Sequence, residues 1–217
     1  MDPYYSRTEV SNSDLSWLKK YWMPAQQIID YEKAYKFGSL IDAMITESHR
    51  VDYFLFRVDD IQYTAEDFDK AEEMKRSFMR DPLCKSMLSQ ASTQSVMAKV
   101  CKFRYGTLEY EMPARCKWDI WMDHANWGGD IKSTAATTQK QFEEAVRYFD
   151  YDRQRAWYMD IAKSDTDILI GISKVNFKVF KVPIKRGDSL YNSGREKYEE
   201  LAFRYWYLFS DNLKLVA

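Results

Sequence analysis

The sequence predicts an α/β protein of the α+β kind: a central mixed sheet flanked by helices, with a helical extension at the N-terminus. Three observations predict it. Helical spacing of apolar residues dominates 1–92, a period of two takes over from 95 to 133, and helix and strand patterns then alternate toward the C-terminus. With 217 residues the chain reads as a single domain, mostly helical over 1–92 and sheet core over 93–217, long enough to bury a substantial interior. Hydrophobic content of 46% with 16% aromatic excludes a disordered chain. No apolar run reaches the ~20 residues of a membrane span. A net charge of -1 and a pI near 6.2 exclude a uniformly basic nucleic-acid coat but leave room for a local basic groove. Cys84, Cys101 and Cys116 stand far apart without a Cys-x-x-Cys pair, which argues against a disulfide framework, a zinc knuckle or an iron–sulfur cluster. The opening has neither a basic nor an apolar leader segment, so no secretory signal is expected and a reducing cytoplasm fits.

Taken in order, Ser11 and Asp14 form a cap pattern ahead of Leu15, Leu18, Tyr21 and Trp22, where a short amphipathic helix begins. After Pro24, residues 25–35 carry Ile28, Ile29, Tyr31 and Tyr35 at helical spacing. A further helix over 37–45 buries Leu40, Ile41, Met44 and Ile45, with Asp42 among them. The aromatic stretch 52–57 reads as an edge strand. A charged helix spans 65–80, its acids and lysines a solvated face, and Asp81-Pro82 breaks it before a second piece ending near Gln90. Residues 96–102 and 108–112 bracket Gly106 as a hairpin, and 114–122 and 130–133 extend the antiparallel sheet. Thr137 or Thr138 caps the next helix, which buries Phe142, Ala145, Val146 and Phe149. A helix over 152–162 places Gln154 and Tyr158 on one face. Strands over 167–173 and 177–182 and a final aromatic-rich helix over 189–208 complete the chain.

The chemistry concentrates between Asp119 and Tyr158. Asn126-Trp127-Gly128-Gly129 reads as a turn joining two strands, which brings Asp119 beside Asp130. Because strand side chains repeat with a period of two, Asp130 and Lys132 share a face while Ile131 enters the core. Clustered carboxylates repel and are costly to desolvate unless a cation or shared proton relieves them. A hard ion such as Mg²⁺ is the natural partner, and Lys132 would suit a phosphate oxygen or an attacking hydroxide. The set points to metal-assisted phosphodiester hydrolysis. Ser133 and Thr134 adjoin Lys132 and are candidates for phosphate contact. By pattern alone, Asp42 is either a solvated acid or a site residue. Lys174, Lys178, Lys181, Lys185 and Arg186 either line a DNA path or form a solvated strand face. Glu109, Glu111 and His124 read as surface residues.

Asp119, the run Gly129-Asp130-Ile131-Lys132 and the Gln154–Tyr158 pair together resemble the PD-(D/E)XK nuclease superfamily in its RecB-like branch. Within that branch they are most similar to phage and bacterial exonucleases of the RecE (exonuclease VIII) type. Residues 10–15 resemble that group's opening and 37–42 its first-motif helix, so the resemblance covers most of the chain. It implies a restriction-endonuclease-like core and Mg²⁺ or Mn²⁺ as cofactor, held by Asp42, Asp119, Asp130 and the Ile131 carbonyl. Asp119, Asp130 and Lys132 would be catalytic, Lys132 orienting or activating water, while Gln154 and Tyr158 support the site and contact DNA. The implied function is a deoxyribonuclease, an exonuclease of phage or bacterial recombination, acting on DNA in a bacterial or phage-infected cytoplasm. The resemblance also admits a homo-oligomer and an annealing-protein partner. Two departures stand out: Trp118 occupies the motif's proline position, and Asp42 stands where Gly-x-x-x-His has its histidine. His49, seven residues on, is the alternative for that role. The second departure opens a competing reading, a nuclease-fold DNA-binding or interaction protein that has lost catalysis.

Overall fold

The computed structural model describes residues 3–22 and 31–213. Helix α1 (Asn12–Trp22) starts at the expected cap: Asp14 Oδ2 accepts the Ser11 N–H at 2.7 Å, and Ser11 Oγ accepts the Asp14 N–H at 3.3 Å. The helix expected over 25–35 lies outside the described residues as far as 30. From there α2 (Tyr31–Thr46) runs unbroken through Gly38, one helix where two were expected. Residues 52–57 correct the expected edge strand. Strands β1 (Val51–Asp52), β2 (Arg57–Val58) and β3 (Ile61–Gln62) make a small antiparallel sheet, and 53–56 are the turn between the first two. Asp52 Oδ1 accepts the N–H groups of Phe54 and Leu55 at 3.1 and 2.9 Å, and this side-chain turn outcompetes the β propensity of the aromatics.

Helix α3 (Ala65–Arg80) opens on a Thr64–Asp67 capping box and buries Phe68, Ala71, Met74 and Phe78. Asp81 ends it and caps α4 (Pro82–Gln90), with Pro82 in the first turn where its missing N–H costs nothing. The hairpin β4 (Ser92–Tyr105) and β5 (Leu108–Met122) turns at Gly106, whose φ is +60°. The break expected near 113 is absent. Pro113 sits inside β5, its carbonyl accepting the Val10 N–H at 2.9 Å while Arg115 N–H donates to Val10 O at 2.8 Å. The chain continues through β6 (Trp127–Thr134), α5 (Gln139–Tyr148, capped by Thr138), α6 (Tyr151–Ala162), β7 (Thr166–Ser173), β8 (Val179–Lys185) and α7 (Ser189–Leu213).

The five main strands lie in the order β4-β5-β6-β7-β8, with β6 and β7 parallel and the other neighbours antiparallel. A central mixed sheet flanked by helices, preceded by helical N-terminal elements, is therefore the fold. Helices α2, α3 and α4 bury Leu40, Met44, Met74 and Phe78 on one face with Ile131, Ile170 and Ile172. On the other face α1, α5, α6 and α7 enclose Leu15, Phe142, Trp157 and Tyr198 with Trp118, Leu169 and Val182. No described helix is long and apolar enough to cross a membrane.

The expected turn over 126–129 shrinks to Asn126, at φ +51°, because Trp127 already belongs to β6. The two glycines serve close approach instead. A Cβ on Gly128 would lie 2.4 Å from the Ile120 carbonyl and 2.6 Å from the Trp118 ring. Replacing Gly128 by alanine must push the strands apart, so Gly128→Ala is expected to cost about 1–3 kcal/mol in urea unfolding. An unchanged midpoint would contradict the packing.

Candidate active site

Strand β5 changes phase across Asp119. Met112, Ala114, Cys116 and Trp118 pack on the α6 side, Ile120 and Met122 pack with α2–α4, and Trp121 returns to the α6 side. Both neighbouring ladders loosen at this point. The pairing with β4 skips the step where Gln94, at φ +52°, faces Asp119, and the pairing with β6 ends at Ile120 and Gly129. Asp119 fills the opening, its Oδ2 accepting the Ile131 N–H at 2.7 Å where a β5 carbonyl would otherwise serve. A strand residue presents its N–H and C=O to the same neighbour, so the Ile131 carbonyl also faces this gap.

Beyond the gap, β6 alternates as expected. Ile131 is buried with α2, while Asp130 faces α6. Asp130, 2% exposed, is held by two cations: Arg155 Nη1 donates to Oδ1 at 2.9 Å, and Lys132 is ion-paired with Oδ2. Lys132 also lies over the Tyr151 ring, 5.2 Å from its centroid. Burial by itself would depress the Lys132 ammonium, but Asp130 and Asp119 outweigh it and raise the group above its ordinary range.

Asp42 approaches from α2. Thr46, one turn on, donates to the Asp42 carbonyl at 2.8 Å and accepts from Gln94 Nε2 at 2.8 Å, and Thr93 donates to the Thr46 carbonyl at 2.9 Å. These bonds tie the end of α2 to β4 beside Asp119. Asp42 Oδ1 is shut off from solvent and takes no hydrogen bond. Burial, and then the charge of Asp119, push the Asp42 carboxyl well up; burial, and then Asp130, push Asp119 up to about 7. Among the described residues, no three acidic, histidine or cysteine side chains form a ready-made metal cluster. Asp130 is engaged by Arg155 and Lys132, and Asp119 by Ile131. The donor chemistry nevertheless fits Mg²⁺ or Mn²⁺: carboxylate oxygens, two of them (Asp42 Oδ1 and Asp130 Oδ2) buried without a hydrogen bond, in repulsion that a divalent cation would relieve.

The remaining sequence candidates divide. His49 does not lie on the Asp42 face, because α2 ends at Thr46 and His49 sits exposed on a separate 3-10 turn, Ser48–Arg50. Thr134 Oγ1 is occupied in accepting the Ala136 N–H at 3.1 Å, and no hydrogen bond involves the Ser133 hydroxyl among the described residues. Tyr158 is buried against Trp118, ring centroids 5.5 Å apart, while the Gln154 side chain makes no hydrogen bond among the described residues. The basic stretch is partly engaged. Lys181 is ion-paired with Asp81, and Arg186 bonds Asp160 at 2.5 Å and Asp165 at 3.3 Å. Lys102 lies 3.7 Å from Glu111, an exposed pair of little energetic weight.

Sequence reasoning missed Arg155 and Asp167. Arg155 is wholly buried and joins Asp130 to Asp167, its Nε donating to Asp167 Oδ2 at 2.7 Å. The signals were present: an arginine against the buried run Ala156-Trp157-Tyr158, and an acid opening the apolar strand Ile168-Leu169-Ile170. Either charge would be expensive at such a position without a partner.

Residues 11–212 match the family model described as PDDEXK-like domain of unknown function (DUF3799). No curated protein matches the chain. Among solved structures, similarity is found to a phage related exonuclease from Haemophilus somnus 129PT, with 13% identity and TM-score 0.43, covering 94% of this chain and 96% of that one. An alkaline exonuclease (LHK-Exo) from Laribacter hongkongensis has 13% identity and TM-score 0.33, with 96% and 95% covered. SSO0001 has 11% identity and TM-score 0.37, with 76% and 85% covered.

The raised carboxyls set a pH dependence. Asp42 and Asp119 bind protons more tightly folded than unfolded, so their favourable contribution is complete below about pH 4 and is lost as pH rises through about 7 for Asp119. In EDTA, the wild-type Tm should therefore fall between pH 5 and pH 8, and that of Asp119→Asn should fall less. Equal slopes would contradict the charge crowding.

Proposed function

The chain belongs to the family of PDDEXK-like domains of unknown function (DUF3799), and from that premise we propose that it is a metal-dependent deoxyribonuclease hydrolysing DNA phosphodiester bonds. The observation that carries the reading is the opening between β5 and β6, where Asp119, Asp130, Lys132 and Asp42 meet across three chain segments. Asp42, Asp119, Asp130 and the Ile131 carbonyl would hold Mg²⁺ or Mn²⁺. When bound, the ion supplies Lewis acidity to a phosphate oxygen and lowers the pKa of a coordinated water. Lys132, whose ammonium is favoured by its acidic neighbours, would stabilise negative charge developing on the phosphate or orient or activate the attacking water. Gln154 and Tyr158 on α6, together with Ser133, would back the site or meet the DNA strand. Thr134 does so less directly, its hydroxyl being turned to its own loop. The finer proposal, an exonuclease of RecE type in phage or bacterial recombination, rests on the ordered motif from Asp119 to Tyr158 and on the first-motif helix.

The second reading, a DNA-binding relative without catalysis, is favoured by Asp42 at the histidine position and by the commitment of both Asp130 oxygens to cations. One assay separates the two. With linear duplex DNA and Mg²⁺ or Mn²⁺, the wild type is expected to degrade the substrate, and Asp130→Ala and Lys132→Ala to lose about 100-fold or more of the rate. DNA retention with no degradation by the wild type would establish the second reading instead.

A further inference from the structure

We propose that Arg155 is a positioning residue for Asp130: it immobilises one carboxylate oxygen so that the other is the one offered to a divalent ion in exchange for Lys132. The inference rests on the nuclease reading and adds a residue that its motifs do not include. Arg155 Nη1 donates to Asp130 Oδ1 at 2.9 Å, and Nε donates to Asp167 Oδ2 at 2.7 Å. The guanidinium carbon lies 4.4 Å from the Trp118 ring centroid and 4.5 Å from that of Tyr158. Two carboxylates thus fix the fork along its edges and two rings confine it. Asp167 is pinned in turn: its side chain is fully buried, and Oδ1 accepts the Ile168 N–H at 2.6 Å on β7, the strand parallel to β6. Oδ1 of Asp130 is consequently tied to a rigid frame.

Oδ2 has no such anchor. Among the described residues it meets only Lys132, whose four-carbon side chain is 20% exposed, whereas the side chain of Arg155 is completely enclosed. Of the two cations on Asp130, the inner one is fixed and the outer one can leave. Oδ2 is then the oxygen able to change partners, and the change would free the Lys132 ammonium for a phosphate oxygen. Stability alone explains the arrangement poorly. Buried ion networks are often no more stabilising than apolar replacements of similar volume, and Arg155 Nη2 is left without a hydrogen-bond partner.

Mn²⁺ titration of the full chain without DNA, followed by calorimetry, tests the proposal, with thermal melts verifying that each variant is folded. Arg155→Lys keeps the charge but loses the fork. The double variant Arg155→Gln with Asp167→Asn removes the buried pair together and leaves no orphan charge. Both are expected to bind Mn²⁺ about tenfold more weakly than the wild type. Simple electrostatics predicts little change for the double variant, because the cation lost beside the ion is matched by a lost anion. Lys132→Met, at the rim, should bind Mn²⁺ severalfold more tightly and keeps the test open if the buried variants fail to fold. Wild-type affinity in folded Arg155→Lys, tighter binding by the double variant, or no gain in Lys132→Met overturns the proposal. A wild type that binds no Mn²⁺ overturns the nuclease reading with it; a wild type that binds, with variants unchanged, overturns this inference alone.

Discussion

Where β5 and β6 stop pairing through their backbones, the Ile131 N–H still needs an acceptor, and the Asp119 carboxylate supplies it at 2.7 Å. An unsatisfied buried amide would cost roughly 1–3 kcal/mol, so the strands can part here only because a side chain completes the ladder. The rest of the site follows from that substitution. It draws a carboxylate into the sheet, opens a gap facing the Ile131 carbonyl, and sets Asp119 near Asp130, which the period of two turns toward α6. The same irregularity reverses the inward alternation of β5, so that Trp118 stacks on Arg155 while Ile120 packs with the opposite layer.

A gap lined by acids must be balanced, and the two faces of the sheet do so differently. On the α6 side, Arg155 and Lys132 neutralise Asp130, and Asp167 shares Arg155. On the α2 side, burial, with the charge of Asp119 acting on Asp42 and that of Asp130 on Asp119, outweighs the nearby lysines and pushes both carboxyls up. Carboxyls pushed up in this way would be relieved by a divalent ion. Asp130 and Asp119 in turn favour the charged form of Lys132.

Much of this was legible in the residues. The period of two predicts that Asp130 and Lys132 share a face and that Ile131 is buried, and Asp81-Pro82 and Gly106 punctuate the chain where expected. Periodicity reports which face of an element a residue occupies, not which neighbour meets it. That is why Arg155 escaped notice: its partners, Asp130 and Asp167, are 25 and 12 residues away and lie on two other elements. Local side-chain chemistry misled at 52–57, where Asp52 folds an aromatic run into a turn. At Gly128 and Gly129, residues with turn character serve instead to let strands approach closely. The end of α2 at Thr46, which removes His49 from the Asp42 face, depends on tethers to Thr93 and Gln94 from a distant strand.

We propose that the Asp119 side chain holds these strands apart and so forms a cation site. Anomalous diffraction from crystals soaked in Mn²⁺ addresses it most directly. The account predicts a peak in the opening between β5 and β6, within coordination distance of Asp42, Asp119 and Asp130, with the Ile131 amide still bound to Asp119. A peak only elsewhere, or an Ile131 amide paired with the β5 backbone across a closed gap, would contradict it.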